Sequence, residues 1–191
     1  MGRIVVSEFV SLDGVMEAPG GEPGYAHTGW TMDAPDEGQY GYKLDEVLAS
    51  DALLLGRVTY EGFAEAWPGR DDEAGFAAKM NAMPKYVVSR TLTEGTWSPT
   101  TILGGDIADD VPRLKRELEG DILVAGSRTL VHGLLEHDLV DELRVMLFPV
   151  VLGSGGRLYP ETSRKLPLEL VDTRTYGTVV VHAYRPRSAG G

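Results

Sequence analysis

Apolar and polar positions alternate between two periods along this chain, and the alternation predicts its elements. Arg3-Ile-Val-Val-Ser-Glu-Phe-Val10 is rich in β-branched and apolar residues and stops at Ser11-Leu-Asp-Gly14, a turn signal, so it reads as a buried first strand. Residues 18–36 hold several Pro and Gly with little periodicity, which predicts a long loop bordering a site. From Glu37 the apolar positions Tyr40, Leu44, Val47 and Leu48 recur at helical spacing and lead into Ala52-Leu-Leu-Leu55, a short strand closed by Gly56. The unit then repeats. A helix over Glu73 to Met83 precedes Pro84 and the strand Lys85–Ser89.

A third helix is predicted with Asp109 or Asp110 as its N-cap, Pro112 in its first turn, Val111, Leu114 and Leu118 on one face, and Gly120 closing it. It leads into the strand Asp121–Ala125. Gly126 and Ser127 then open a helix with Leu130, Leu134 and Leu135 on its apolar face and Ser127 as cap. Leu143 to Leu152 reads as a strand, and Leu168–Tyr176 with Thr178–Tyr184 as a terminal hairpin around Gly177. Strands alternating with helices and ending in an antiparallel pair predict an α/β three-layer domain on a mixed, mostly parallel sheet. With 191 residues and no internal repeat, one domain over 1–187 is expected, followed by a loose tail at 188–191.

Composition narrows the function. Eighteen basic against 29 acidic side chains give a net charge of -11, which argues against nucleic acid as a partner. The excess is uneven: residues 1–80 carry 15 acids and 5 bases, and residues 81–191 carry 14 and 13. There is no Cys, and His27, His132, His137 and His182 show no ligand spacing, so no metal site is expected. No apolar run approaches the ~20 residues of a membrane-spanning helix, and no secretory signal is visible, so a cytoplasmic address is expected.

Three strand ends carry small or cationic residues: Gly56-Arg57-Val58-Thr59, Ser89-Arg90-Thr91 and Gly126-Ser127-Arg128-Thr129. Ligands of open α/β sheets collect beyond the carboxyl ends of strands, where helix N-termini offer N–H groups to anions. Each tripeptide alone could be a cap or turn with a solvated Arg. Together they point to a phosphate-bearing ligand. Neither GxGxxG nor GxxxxGK[ST] nor GxSxG occurs, which argues against an ordinary dinucleotide fold, a P-loop kinase and an α/β-hydrolase. Gly153-Ser-Gly-Gly156 reads as a turn bordering the site.

These segments, with Ser11-Leu-Asp-Gly14, Leu139-Val-Asp-Glu-Leu143 and Pro149-Val-Val-Leu-Gly153, resemble the dihydrofolate reductase superfamily, and within it the group containing the reductase domain of bacterial riboflavin biosynthesis. They run in the family's order across nearly the whole chain. The resemblance implies the dihydrofolate-reductase-like fold and NADPH-dependent reduction of a small heterocyclic or carbonyl substrate, with a homodimer as the expected assembly. By matching positions it implies that Gly56, Arg57 and Thr59 meet cofactor phosphates. Ser89 and Arg90 would hold the ribose 2′-phosphate, and Gly126, Ser127, Arg128 and Thr129 would wrap the pyrophosphate.

Two departures bear on the substrate. The acidic residue that binds pterin in dihydrofolate reductases, 16 positions before Gly56, is here Tyr40, and the Glu usual before the pyrophosphate loop of the riboflavin-pathway enzymes is Ala125. Asp13 has two readings: a group at the mouth of the site that positions substrate or feeds a proton, and the Asp-Gly turn ending the first strand. Trp30 and Trp67 are either apolar walls near the loop or packing residues. Two further functions stay open, the reductase step on 5-amino-6-(5-phosphoribosylamino)uracil and a non-catalytic nucleotide-binding protein.

Overall fold

The computed structural model describes residues 1–162 and 164–187. The tail expected at 188–191 lies outside the described residues. Eight strands form one sheet in the order β4-β3-β2-β5-β1-β6-β8-β7. At its centre is β1 (Arg3–Ser11), flanked in parallel by β5 (Asp121–Val124) and β6 (Glu142–Phe148). A strand paired on both sides and covered on both faces needs an almost continuous apolar run, and Ile4, Val5 and Val6 have no exposed surface. β2 (Ser50–Gly56), β3 (Lys85–Val88) and β4 (Thr100–Leu103) extend the parallel half, while β7 (Leu168–Tyr176) and β8 (Val179–Pro186) form the predicted antiparallel hairpin. The strand pairing thus has the mixed, mostly parallel form expected.

Helices cover both faces. α4 (Ile107–Glu117) and α5 (Arg128–Glu136) send Val111, Leu114, Leu130 and Leu134 onto Ile4, Val6 and Val124. On the other face α1 (Glu37–Ala49), α2 (Arg57–Ala66) and α3 (Phe76–Ala82) send Val47, Tyr60 and Met80 onto Val5, Leu53 and Leu55. The split follows the period-2 alternation of side chains along each strand. Lys85, fully buried under Trp97 with its ammonium 4.2 Å from the ring centroid, donates to the carbonyls of Asn81 and Ser98 and ties α3 to the loop before β4.

Several boundaries differ from expectation. The cap of α4 is Asp106, whose side chain accepts from Ala108 N–H; Asp110 instead accepts from Gly105 N–H and pairs with Arg113 at 2.6 Å. Pro112 therefore lies inside α4 rather than in its first turn. β6 stops at Phe148 and not at Leu152, because Pro149 has no N–H for the ladder. α2 and β4 carry no strong sequence signal: α2 opens on Gly56, which has no capping side chain, with β-branched Val58 and Thr59 in its first turn, and β4 is a four-residue edge strand. Loop 18–36 has internal order: a 3-10 turn over Trp30–Asp33, with Trp30 Nε1 donating to Glu17 O and Thr31 to Pro19 O.

Candidate active site

The parallel strands β2, β3 and β5 end side by side, and each feeds a turn of small residues. Gly56 ends β2 against the turn that follows β5, so closely that a Cβ built on it would lie 2.1 Å from Ser127 Oγ. Gly126 answers in kind: its φ is +90°, and a Cβ there would lie 2.7 Å from Thr59 Oγ1. Two backbones can approach this closely only where side chains are missing, and the left-handed φ at Gly126 excludes most other residues. Ser127 then caps α5, accepting from Leu130 N–H at 3.4 Å.

The result is a cleft of about 500 Å³ across the strand ends. Six of the nine residues expected to hold a cofactor line it: Gly56, Arg57, Ser89, Arg90, Ser127 and Thr129. Thr59 and Gly126 stand behind this wall, against each other. Arg128 leaves it, since its guanidinium occupies the space beside Gly156, where a Cβ would lie 2.2 Å away. Arg57 is paired with Glu61 on the surface at 2.9 Å. Leu103, Ile107 and Leu130 add an apolar floor, with Asp106 and His137 at its rim. These five are residues that sequence reading passed over, because each first serves a helix or strand and nothing local marks it.

Glu8 was also passed over, although it left a signal: one carboxylate in the middle of an apolar strand. It is 7% exposed, and its Oε1 accepts from Gly126 N–H at 2.7 Å. Burial pushes its carboxyl up to about 8, against the opposing pull of that hydrogen bond and of the Lys43 ammonium.

At the other end of the site Asp13 is fully used by the turn after β1. Its Oδ1 accepts from Ser11 Oγ at 2.7 Å and from Leu152 N–H at 3.1 Å, and Oδ2 accepts from Gly153 N–H at 2.8 Å. The Ser11 hydroxyl, with those two amides, holds its carboxyl down at about 2. Arg157 donates to the Asp13 carbonyl. Tyr25 of loop 18–36 and Glu17 just before it reach this corner, Tyr25 Oη donating to Ser154 O at 2.7 Å and Gly156 N–H to Glu17 at 2.6 Å. Trp30 is buried against Phe148, whereas Trp67 stacks on Phe76, which in turn lies 5.6 Å from Tyr40.

The RibD C-terminal domain model matches residues 3–182. The chain belongs to that family. The uncharacterized protein YyaP of Bacillus subtilis (strain 168) is 30% identical over 182 residues, covering 94% of this chain and 92% of that protein. Among solved structures, the putative riboflavin biosynthesis protein from Shewanella sp. PV-4 superposes with a TM-score of 0.76 at 21% identity, covering 97% of this chain and 99% of that one. Dihydrofolate reductase from Enterococcus faecalis, complexed with NADP(H) and RAB-propyl, does so with a TM-score of 0.62 at 14% identity, with 97% of each chain covered. By family this is a RibD C-terminal domain protein, and its fold is dihydrofolate-reductase-like. Among the described residues no helix is long and apolar enough to cross a membrane, and none of the acidic and histidine side chains cluster as a metal site would require.

Proposed function

We propose that the protein is an NADPH-dependent oxidoreductase that transfers hydride to a small heterocyclic or carbonyl substrate. One observation carries the reading: separate strand-end turns, brought together where Gly56 and Gly126 let their backbones approach, converge on a single cleft. The fit to a dinucleotide rests on the donors present. Ser127 and Thr129, at the N-terminus of α5, would receive the pyrophosphate, assisted by Arg57. Ser89 and Arg90 would hold the 2′-phosphate, and Leu103, Ile107 and Leu130 offer an apolar surface to a flat base. When bound, the cofactor supplies the hydride; the protein orients it and excludes water.

Of the two readings of Asp13, the turn that ends β1 fits its surroundings. A carboxylate held near 2 and committed to three donors is ionised at neutral pH, and it ties the Leu152–Gly153 segment to the turn after β1. The pyrimidine reductase step remains the second reading. It is favoured by the family and by Arg128 and Arg157, which bracket the Gly153–Gly156 loop beside Asp13 and would suit a ribose phosphate. We extend the proposal to a cytoplasmic homodimer. Leu170 and Val171, 53% and 39% exposed on edge strand β7, support the pairing, which analytical ultracentrifugation would test.

Titration with NADPH and NADH, followed by a panel of pterins, pyrimidines, carbonyls and quinones monitored by cofactor absorbance, tests the function. Tighter binding of NADPH than NADH, with cofactor oxidation by one panel class, is expected. Thermal stabilisation by NADPH without oxidation by any of them would favour a non-catalytic nucleotide binder, and no binding would remove the reading altogether.

A further inference from the structure

Glu8 lies on the same face of β1 as Ile4, Val6 and Val10 and reaches sideways to the turn that ends β5. That turn carries the cleft's closest backbone approach and opens α5. Only one of the two carboxyl oxygens has a protein partner among the described residues, the bond from Gly126 N–H. We propose that protonation of Glu8 is coupled to occupancy of the dinucleotide cleft, the neutral acid admitting the anionic pyrophosphate beside Gly126–Ser127 and the ionised acid repelling it. The inference rests on the dinucleotide reading above and adds its control by a proton.

The carbonyl oxygen of a neutral acid accepts from Gly126 N–H as an ionised carboxylate does, so protonation changes the charge beneath the turn and leaves the bond that holds it. A phosphate brought to the first amides of α5 meets that charge through a poorly screened interior, where like charges repel strongly. By linkage, a ligand that prefers the protonated form raises the affinity of Glu8 for its proton by the same factor. Burial already pushes the free carboxyl up to about 8. Below that pH the proton is in place and affinity is flat. Above it, binding must take up a proton, and affinity falls by up to tenfold per pH unit.

Lys43 and Glu46 are the charges that act on Glu8, and the elements packed around it carry others. Across the sheet α1 brings Lys43 and Glu46, paired at 2.9 Å. On its own face α5 brings Arg128 and His132, and α4 brings Asp110 with Arg113. The flanking strands carry Asp121, Glu142 and Arg144, in register with positions 3, 5 and 7 of β1 and therefore on the opposite face of the sheet from Glu8. A window of pH 7.5 to 9.5 lies between the ordinary ranges of imidazole and ammonium groups, ~6.5 and ~10.4. Lys85, which burial moves down to about 8, also falls in this window, but it sits on β3 beneath Trp97 and is unchanged by a substitution at Glu8.

The test is calorimetric titration of NADPH into the wild type and Glu8→Gln across that window, in paired buffers of different ionisation enthalpy. The wild type is expected to take up close to one proton per NADPH at pH 9 and to lose about tenfold in affinity between pH 8.5 and 9.5. Glu8→Gln, permanently neutral, should take up none and keep its affinity. Identical pH profiles and proton counts in the two proteins would overturn the inference while leaving the reductase reading intact. No binding by either at any pH would remove that reading, and this one with it. If Glu8→Gln fails to fold, carboxyl NMR of the wild type replaces it: the Glu8 midpoint should rise by about two pH units or more on saturation with NADPH, and an unmoved midpoint refutes the coupling.

Discussion

The two halves of the sheet differ in how fully their arginines are paired, although Arg57 and Arg113 of the parallel half have Glu61 and Asp110. In the antiparallel half, beneath α1, Arg144 is held by Glu46 at 3.2 Å and by Glu142 at 2.8 Å, and Glu142 is shared with Arg3 at 2.9 Å and Arg185 at 3.1 Å. Burial works against ionisation of Glu46, yet Lys43, Ser7 and Arg144 together hold its pKa below the usual carboxylate range. The hollow there, about 380 Å³, is lined by guanidinium groups that already have acids. In the parallel half, among the described residues, Arg90 and Arg128 have no carboxylate within salt-bridge distance, and both stand at turns beside the open ends of strands. The more fully paired half is built for stability, and the other keeps two arginines for the proposed ligand.

Four substitutions would sharpen or break this contrast. Removing Glu46 should have the largest effect: Glu46→Ala leaves Lys43 and Arg144 without it beneath the sheet and should cost about 3–5 kcal/mol in urea unfolding, while the folded fraction keeps its NADPH affinity. Equal stability of variant and wild type would mean that the more fully paired half is not structural. Next comes Gly56→Ala, which forces a methyl against Ser127 Oγ. A loss of about 1–3 kcal/mol in stability is expected, together with weaker NADPH binding, because the same shift displaces the start of α5.

Arg90→Ala should leave the melting temperature within a degree or two and weaken NADPH about tenfold, about 1.4 kcal/mol, with a smaller change for NADH. Equal losses for both cofactors would take Arg90 away from the 2′-phosphate. The smallest effect belongs to Asp13→Asn and appears only in acid. The folded pKa of Asp13, about 2, lies below its ordinary 3.8, so its contribution is present above pH 4 and lost as pH falls through 2. Urea midpoints of variant and wild type should differ at pH 7 and converge toward pH 2.

Most of the parallel half was legible from residue order because its strands are short apolar runs closed by Gly or Ser, and their helices begin at those closures. What escaped did so for physical reasons. α2 starts without a capping side chain, so its N-terminus has no local mark. The cap of α4 lay three residues earlier than the nearest acid pair suggested, because Asp110 is drawn away to Gly105 and Arg113. Within the site, the strand-end turns were visible as tripeptides, and their meeting in one cleft required the crossover that sets β5 beside β2. Glu8 depends on that same adjacency at one remove: the group it holds is 118 residues away in the chain.

The mutual interlock of β2 and β5 constrains how this protein can change over evolutionary time. Gly56 yields its volume to the hydroxyl of Ser127, and Gly126 yields its own to Thr59, so each turn is moulded around the other. A larger residue at Gly56 becomes tolerable only if Ser127 shrinks in the same lineage, whereas at Gly126 the left-handed φ excludes one whatever stands at position 59. Positions 56 and 127 should therefore drift as a co-substituting pair among the protein's relatives, while position 126 stays glycine.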